Sequence, residues 1–279
     1  MATANLSVIQ FSTEGFDDIK DIKEKAFGLI KNAVDKNSDF IVLPEIFTTK
    51  YFPQYKDDSS FGFAETIPGP STDEILKIIK DKPTTVIASI YEIDKDNNSY
   101  YCSAAILNGK KGYIGKYRKL HIPSAQGIHE VYFFKPGNLG HMVFEVSGIK
   151  IAVMLCYDRH FSESARIYGL KDVDILFVCS ATPESARHIW QSELCTHAYM
   201  NGYYVACANK SGREDKIKFL GTSLICDFKG ELINKAKEDE DIILTAEIDI
   251  DKARNHRKAL SFYRDRRPGL YGDIIKQNT

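Results

Sequence analysis

The sequence lacks a long apolar run, an excess of one charge and any close pair of cysteines. No stretch approaches the ~20 apolar residues that a membrane-spanning helix requires. The opening Met-Ala-Thr-Ala-Asn-Leu-Ser has no basic segment and no long apolar segment after it, so we expect no secretory signal. A formal net charge of −1 with well-mixed signs argues against nucleic acid or an anionic membrane as the main partner.

Cysteine is present but is not arranged for cross-linking or metal binding. The six cysteines are widely spaced, which predicts reduced thiols and a cytoplasmic location in a chain of 279 residues without an export signal. The seven histidines include no H-x-x-x-H or H-E-x-x-H spacing, and we expect no metal and no cofactor. Four cysteines in strand-like runs are predicted to be small core residues: Cys102, Cys179, Cys207 and Cys226.

Strand patterns alternate with helix patterns in both halves of the chain. Residues 6–11, 15–37 and 39–45 read as strand, amphipathic helix and buried strand, which implies parallel pairing. Residues 149–155 and 161–170 begin a second such unit, which a strand over 174–179 completes. No linker divides the halves, so we predict one α/β domain with two sheets between helix layers.

Turn signals mark several further boundaries. Ser71-Thr72-Asp73-Glu74 predicts a capping box that opens a helix ending near residue 80. Asn108-Gly109 predicts a hairpin that leads into Lys119. Irregular loops are expected over 51–66 and over 124–138, and the second contains Glu130.

Three different chemical groups follow apolar strands. Cys156 follows the strand at 149–155 and precedes a helix, whose positive end favours a thiolate. Glu45 and Lys119 also come at strand ends, where open α/β sheets bind ligands. Each also has a simpler interpretation: a buried structural cysteine, an exposed edge carboxylate and a lysine that merely ends a strand.

Each of these groups has a use in amide hydrolysis, the reaction implied by the family resemblance described below. A thiolate at Cys156 attacks the carbonyl carbon, and Glu45 moves the proton from the thiol to the leaving amine. Lys119 and the backbone N–H of Tyr157 stabilise the oxyanion, where one such donor is typically worth ~10²–10³ in rate. Glu45 then activates the water that cleaves the thioester.

The segments around these groups resemble the nitrilase, or carbon–nitrogen hydrolase, superfamily. Three segments resemble its signatures: Leu-Pro-Glu at 43–45, Tyr-Arg-Lys-Leu-His at 117–121 and Leu-Cys-Tyr-Asp at 155–158. The resemblance extends to Phe-Lys-Pro-Gly at 134–137 and to residues 264–271. It implies an αββα four-layer sandwich, two mixed sheets between helix layers, as one domain over 1–279. It also implies Glu45, Lys119 and Cys156 as catalytic residues, with Glu130 as a second active-site glutamate.

The substrate hints conflict. Arg159, His121 and Thr182 resemble the branch that cleaves N-carbamoyl amino acids such as N-carbamoyl-β-alanine, and Tyr157 belongs to the same segment. Residues 115–119 and 264–271 instead resemble N-carbamoylputrescine amidases, which carry an uncharged residue at the position of Arg159. Because Arg159 would repel an ammonium and can bind a carboxylate, an anionic substrate is favoured. An N-carbamoylputrescine, ω-amide or aliphatic amide substrate stays open, as does a surface salt bridge for Arg159.

Three other classes compete with this interpretation. One is a metal hydrolase that uses three histidines and two carboxylates: His121, His129, His160, Asp158 and Glu130. Another is a Cys–His hydrolase with His160 or His197 as the base. The third is an inactive oligomeric scaffold. Family resemblance implies a homodimer or a larger homo-oligomer, with the helix from Ala186 and the segment near Arg254 as interface candidates.

Overall fold

A computed structural model describes residues 2–125 and 127–276. Residues 1 and 277–279 of the predicted domain, and Gln126 of the predicted loop, lie outside the described residues. The strands are β1 (Thr3–Gln10), β2 (Phe40–Val42), β3 (Thr85–Asp94), β4 (Ser99–Asn108), β5 (Gly112–Arg118), β6 (Val143–Val146), β7 (Ile149–Leu155), β8 (Ile175–Ser180), β9 (Tyr204–Asn209), β10 (Arg213–Glu214), β11 (Ile217–Lys218), β12 (Leu224–Cys226), β13 (Leu232–Lys235) and β14 (Ile242–Asp249). The α-helices are α1 (Ile19–Asp35), α2 (Pro70–Ile78), α3 (Glu130–Phe133), α4 (Ser162–Leu170), α5 (Arg187–Asn201), α6 (Ile250–Ala259) and α7 (Ser261–Arg264).

Two six-stranded mixed sheets form the centre of the fold. The first has the order β14–β1–β2–β3–β4–β5, and the second has the order β13–β12–β9–β8–β7–β6. Strands β1, β2 and β3 run parallel, as do β7, β8 and β9. Parallel neighbours need crossover connections, and α1, α2, α4 and α5 supply them.

Successive side chains along each strand point to opposite faces of the sheet, and they form three apolar layers. In β2, Phe40 and Val42 enter the cluster between the sheets, whereas Ile41 faces the cluster under α1 and α2. In β8, Phe177 enters the central cluster and Val178 faces the one under α4 and α5. Phe40 and Phe177 meet across the sheets with ring centroids 5.7 Å apart. The predicted αββα sandwich is therefore confirmed.

Helix α2 begins before the predicted capping box. Gly69 is the N-cap, and Pro70 fits the first helical position because that position needs no backbone N–H donor. The Gly69 N–H donates to Thr72 Oγ1 at 2.7 Å. Ser71, the predicted cap, instead donates its hydroxyl to Glu65 at 2.8 Å.

The predicted irregular loops contain short helical turns. Residues 51–66 include 3₁₀ turns at Phe52–Gln54 and Asp58–Phe63, and Glu130 begins α3 rather than lying in a loop. Phe52 packs edge-to-face on Phe133 at 4.9 Å between centroids. Such elements follow from aromatic packing between distant segments, which apolar periodicity does not detect.

The two predicted interface segments occupy different layers, since α5 lies over the second sheet and Ile250 and Ala253 of α6 join the cluster between the sheets. Helix α5 packs beside α4 over that sheet, and the segment near Arg254 forms α6. Exposed apolar side chains on α4, α5 and the C-terminal residues lie around one groove, and they include Leu170, Met200, Phe262 and Ile274. No helix within the described residues is both long and apolar enough to cross a membrane.

Candidate active site

The three predicted strand ends meet where the two sheets face each other. Glu45 comes shortly after β2 and Lys119 directly after β5, both in the first sheet. Cys156 directly follows β7 in the second sheet. The backbone N–H of Glu45 donates to the carbonyl of Ser180, at the end of β8, at 3.2 Å. This hydrogen bond joins the two sheets beside the site.

Lys119 lies between two carboxylates in a buried environment. Its Nζ donates to Glu45 Oε1 at 2.8 Å and to Glu130 Oε2 at 2.6 Å. All three side chains are at most 2% exposed. Burial lowers the pKa of Lys119, but the charges of Glu130 and Glu45 outweigh it and hold the pKa well above the usual range. The side chain is therefore an ammonium.

Glu130 is held from both sides. One oxygen accepts from Lys119, and the other accepts from the buried Tyr51 hydroxyl at 2.6 Å. Burial raises the pKa of Glu130, and Lys119 acts in the opposite direction. Glu130 therefore joins Lys119 and Glu45, rather than lying in the solvent as a loop carboxylate would.

One carboxylate oxygen of Glu45 accepts a hydrogen bond, and the other has no partner in the part of the chain that the structure describes. Oε1 accepts from Lys119 and lies 3.5 Å from the Cys102 sulfur. Oε2 is buried and has no hydrogen-bond partner among the described residues. A buried carboxylate oxygen without a donor is costly, and this oxygen is available to accept a proton from a neighbouring group.

The backbone at Cys156 is strained. Its φ is +40°, in the left-handed region that non-glycine residues seldom adopt, and the turn Cys156–His160 follows at once. The Cys156 sulfur lies 3.5 Å from Thr182 Oγ1 and 3.7 Å from Arg159 Nη1. The thiol thus sits at a sharp strand-to-helix bend between a hydroxyl and a guanidinium.

The predicted stabilisation of a Cys156 thiolate is wrong for the isolated protein. Burial and the charge of Glu45 raise the pKa of Cys156, although Arg159 and Lys119 oppose them. A short 3₁₀ turn, rather than an α-helix, follows the cysteine, so the expected helix-end field is weak. The resting sulfur therefore carries its proton.

Arg159 is a buried cation beside the sulfur and not a surface salt bridge. Its side chain is 3% exposed and stacks on Trp190, and its Nη1 donates to the Cys156 carbonyl at 2.8 Å. Its Nε lies 3.0 Å from a Glu193 oxygen. Nη2 has no hydrogen-bond partner among the described residues. The guanidinium therefore retains donors for a ligand.

The other predicted substrate-binding residues surround the same turn. Thr182 is buried, with its hydroxyl between Ser180 and the sulfur of Cys156. His121 stacks on Phe161 at 3.5 Å between centroids. Tyr157 is the second residue of the 3₁₀ turn, where N–H groups lack partners within the turn.

Asp158 fixes this turn and orients His121. It is fully buried and accepts from the backbone N–H groups of Leu155 and His121. It also accepts from the Tyr117 hydroxyl at 2.7 Å and pairs with His121 Nδ1 at 2.8 Å. Its role is thus structural support of the residues around Cys156.

The histidines proposed as alternative bases bond elsewhere. His197 Nε2 lies 2.6 Å from the Arg159 carbonyl, and His160 Nδ1 lies 2.7 Å from Glu193. Neither forms a hydrogen bond to Cys156, so the geometry does not support a Cys–His pair. Within residues 2–125 and 127–276, no three His, Cys, Asp or Glu side chains form a group that could hold a metal ion.

Sequence reasoning missed three residues that contact this group. They are Tyr51 on Glu130, Cys102 on Glu45 and Glu193 on Arg159. These three contact the site through packing of separate elements, and no local sequence signal marks them. The sequence placed Asp158 in a signature segment and among the candidate metal ligands, but it did not predict that Asp158 supports the turn.

Two mixed sheets between helix pairs, with a cysteine, two carboxylates and a lysine at their shared edge, define a hydrolase of the nitrilase superfamily. The chain belongs to the carbon–nitrogen hydrolase family, whose family model matches residues 6–258. It is therefore a hydrolase that acts on the carbon–nitrogen bonds of amides.

The chain also matches individual carbon–nitrogen hydrolases over nearly its whole length. An N-carbamoylputrescine amidase from Solanum lycopersicum is 32% identical, covering 97% of this chain and 94% of the relative. A citrullinase from Francisella tularensis subsp. tularensis is 30% identical, and the match covers 99% of this chain and 100% of the relative. The crystal structure of a carbon–nitrogen hydrolase from Helicobacter pylori G27 has a TM-score of 0.92 at 28% identity, with both chains fully covered.

Proposed function

We propose that this hydrolase removes the carbamoyl group from a short N-carbamoyl amino acid, with N-carbamoyl-β-alanine as the favoured substrate. Cys156 is the nucleophile, Glu45 the general base and Lys119 the oxyanion donor, and Glu130 holds Lys119 in place. The observation that carries the substrate proposal is the buried guanidinium of Arg159, 3.7 Å from the Cys156 sulfur. The products are ammonia, CO₂ and the amine.

Because the resting sulfur is protonated, the reaction begins with a proton transfer. Glu45 Oε2 takes the thiol proton as the sulfur attacks the carbamoyl carbon. Lys119 and the Tyr157 N–H stabilise the oxyanion. Glu45 returns the proton to the departing ammonia and leaves a thioester on Cys156. Glu45 then deprotonates a water, which attacks the thioester, restores the thiol and releases a carbamate that loses CO₂.

The position of Arg159 favours a short acidic substrate. A guanidinium binds a carboxylate through parallel N–H donors, and Nη2 has no protein partner among the described residues. Because Arg159 lies beside the attacking sulfur, the carboxylate it binds must lie close to the scissile carbonyl. N-Carbamoyl-β-alanine, with a short spacer between the two groups, meets this requirement.

N-Carbamoylputrescine is the second candidate. It is supported by the relative from Solanum lycopersicum, which is named for that substrate. The citrullinase relative is named for a compound that also carries a terminal carbamoylamino group, which supports a carbamoyl substrate more broadly. An ω-amide or aliphatic amide is the remaining alternative from the sequence. None of these substrates needs a carboxylate beside the sulfur.

A panel of substrates with an Arg159→Ala variant tests the proposal. Ammonia release is measured for N-carbamoyl-β-alanine, N-carbamoylputrescine, citrulline and a simple ω-amide. Wild type should prefer N-carbamoyl-β-alanine. Arg159→Ala should lower kcat/KM for that substrate about 10- to 100-fold more than for N-carbamoylputrescine, the value of a charged hydrogen bond, because the other contacts of Arg159 around Cys156 affect both substrates alike.

The matched control is Arg213→Ala, which removes an exposed arginine whose side chain forms no hydrogen bond within the described residues. It should leave the whole panel unchanged. Equal losses on all substrates after Arg159→Ala would refute the carboxylate contact, and wild-type preference for N-carbamoylputrescine would select the second candidate. An acyl adduct trapped on Cys156 and detected by mass spectrometry tests the nucleophile separately.

We also propose that the chain forms a homodimer or a larger homo-oligomer. The exposed apolar side chains around the groove between α4, α5 and the C-terminal residues support this assembly. Light scattering on Met200→Glu tests it. A smaller particle than wild type supports the proposal, whereas a monomeric wild type contradicts it.

A further inference from the structure

Two thiols outside the candidate active site lie almost at bonding distance. Cys195 is half-buried on α5, and Cys226 is buried at the end of β12. Their sulfur atoms are 2.7 Å apart. Since a disulfide bond is about 2.05 Å long, a displacement of about 0.7 Å would join them.

The backbones that carry these thiols are already in close contact. A Cβ atom at Gly230, in the turn after β12, would lie 2.7 Å from the Cys195 carbonyl oxygen. Lys235 on β13 donates to Gln191 on α5 at 2.9 Å. Helix α5 therefore rests directly against this hairpin, and the two sulfurs face each other across that contact.

The two thiols differ in a way that suits an ordered exchange reaction. The hydrogen bond from Cys226 lowers the pKa of Cys195, although burial opposes it. The same hydrogen bond and burial raise the pKa of Cys226. Cys195 is also the more exposed of the two. It is therefore the thiol that reacts first with a reagent from solution, and Cys226 is placed to resolve the product.

From this geometry we infer that Cys195 and Cys226 are a reversible redox modification site that forms a disulfide by exchange with a low-molecular-weight disulfide. The Cys195 sulfur attacks the reagent disulfide, forms a mixed disulfide and releases one thiol. Cys226 loses its proton and attacks the Cys195 sulfur, which releases the second thiol. Two cysteine thiols are oxidised and the reagent is reduced to two thiols, so no other oxidant is needed.

One thiol of the modification site lies on the same helix as two contacts of Arg159. Cys195 lies on α5 between Glu193, which pairs with the Arg159 guanidinium, and His197, which contacts the Arg159 carbonyl. The disulfide would therefore tie the helix that carries both contacts to the second sheet.

The test treats the folded, reduced protein with glutathione disulfide, then denatures it, labels the remaining thiols with iodoacetamide and maps the peptides by mass spectrometry. Cys195 and Cys226 should lose their labels together, appear in one cross-linked peptide and recover both labels after dithiothreitol. Cys226→Ser should stop at a glutathione adduct on Cys195, and Cys195→Ser should leave Cys226 unmodified. Cys179→Ser, a buried cysteine of β8, is the matched control and should cross-link like wild type.

Two results would overturn the inference. One is full labelling of both cysteines after prolonged treatment of the folded wild type, and the other is a separate glutathione on each. Both are read from the wild-type protein, so the conclusion does not depend on whether a variant folds. Peptides that contain Cys156 are scored separately, because modification there bears on the proposed nucleophile and not on this pair.

Discussion

At the scale of single residues, the candidate site depends on the balance of charge around one sulfur. Glu45 and Glu130 surround one ammonium, Lys119, and all three are buried. Charges in such surroundings interact strongly because little solvent screens them. Burial first, and then the charge of Glu45, raises the pKa of the Cys156 thiol, although Arg159 and Lys119 oppose them. Glu45 consequently has two effects in the proposed mechanism, since its charge disfavours the thiolate and its carboxylate is the base that forms it.

Glu45→Gln separates these two effects. Loss of the carboxylate charge should lower the pKa of Cys156, because a neighbouring negative charge disfavours a second anion. The pH profile of iodoacetamide alkylation at Cys156 should therefore shift to lower pH. Turnover should nevertheless fall by about 10²–10⁴, the usual value of a general base.

The control for this experiment is Glu24→Gln, which neutralises an exposed carboxylate on α1. It should change neither the alkylation profile nor turnover. If Glu45→Gln kept wild-type turnover, the general-base role would be excluded. An unchanged alkylation profile would instead show that Glu45 does not set the protonation of the thiol.

At the scale of elements, the sequence predicted most strand ends that carry the site residues. It did not predict the residues of other elements that contact them. The apolar runs place Lys119 and Cys156 directly after strand ends, whereas β2, predicted to run to Glu45, ends at Val42. Tyr51 and Glu193, by contrast, lie on a 3₁₀-rich loop and on α5, and they reach the site only through packing between distant segments. Local periodicity carries no information about such contacts.

The segment 134–137 shows how an element positions a reactive group. Gly137 donates its N–H to the Lys119 carbonyl at 2.7 Å, and a Cβ atom there would lie 2.3 Å from the Arg118 carbonyl oxygen. Only glycine allows this close approach, which fixes the backbone at the end of β5. The conformation at Gly137 is otherwise ordinary, because its φ lies outside the left-handed region.

Gly137→Ala should therefore displace the backbone that carries Lys119. We expect the free energy of unfolding to fall by about 1–3 kcal/mol, as it does at other overpacked sites. We also expect kcat to fall about tenfold or more at a temperature where the variant is folded. Urea denaturation and steady-state kinetics measure the two effects. Gly62→Ala, where a Cβ atom meets nothing within 4 Å, should change neither. Wild-type kinetics in Gly137→Ala would contradict the proposed control of Lys119 by this segment.

At the scale of the whole molecule, the site exists only while the two sheets keep their relative position. Glu45 and Lys119 belong to the first sheet and Cys156 to the second. Strand alternation predicted which residues face inward, but it could not predict which inward residue meets which across the layer. The family resemblance supplied the four-layer arrangement, and contacts such as Phe40 on Phe177 required the structure.

Phe177→Ala tests whether this packing between sheets maintains the site. Phe177 is fully buried at the centre of β8, and the same strand ends at Ser180, which accepts the hydrogen bond from the Glu45 backbone. Removing the ring should lower the free energy of unfolding by about 3–5 kcal/mol. It should also reduce kcat in the folded fraction, since the sheets can shift toward the vacated volume. Leu232→Ala, on the exposed edge strand β13, should alter neither quantity by a comparable amount. A large loss of stability with unchanged kcat would show that the site is held by its own hydrogen bonds, independently of the packing between the sheets.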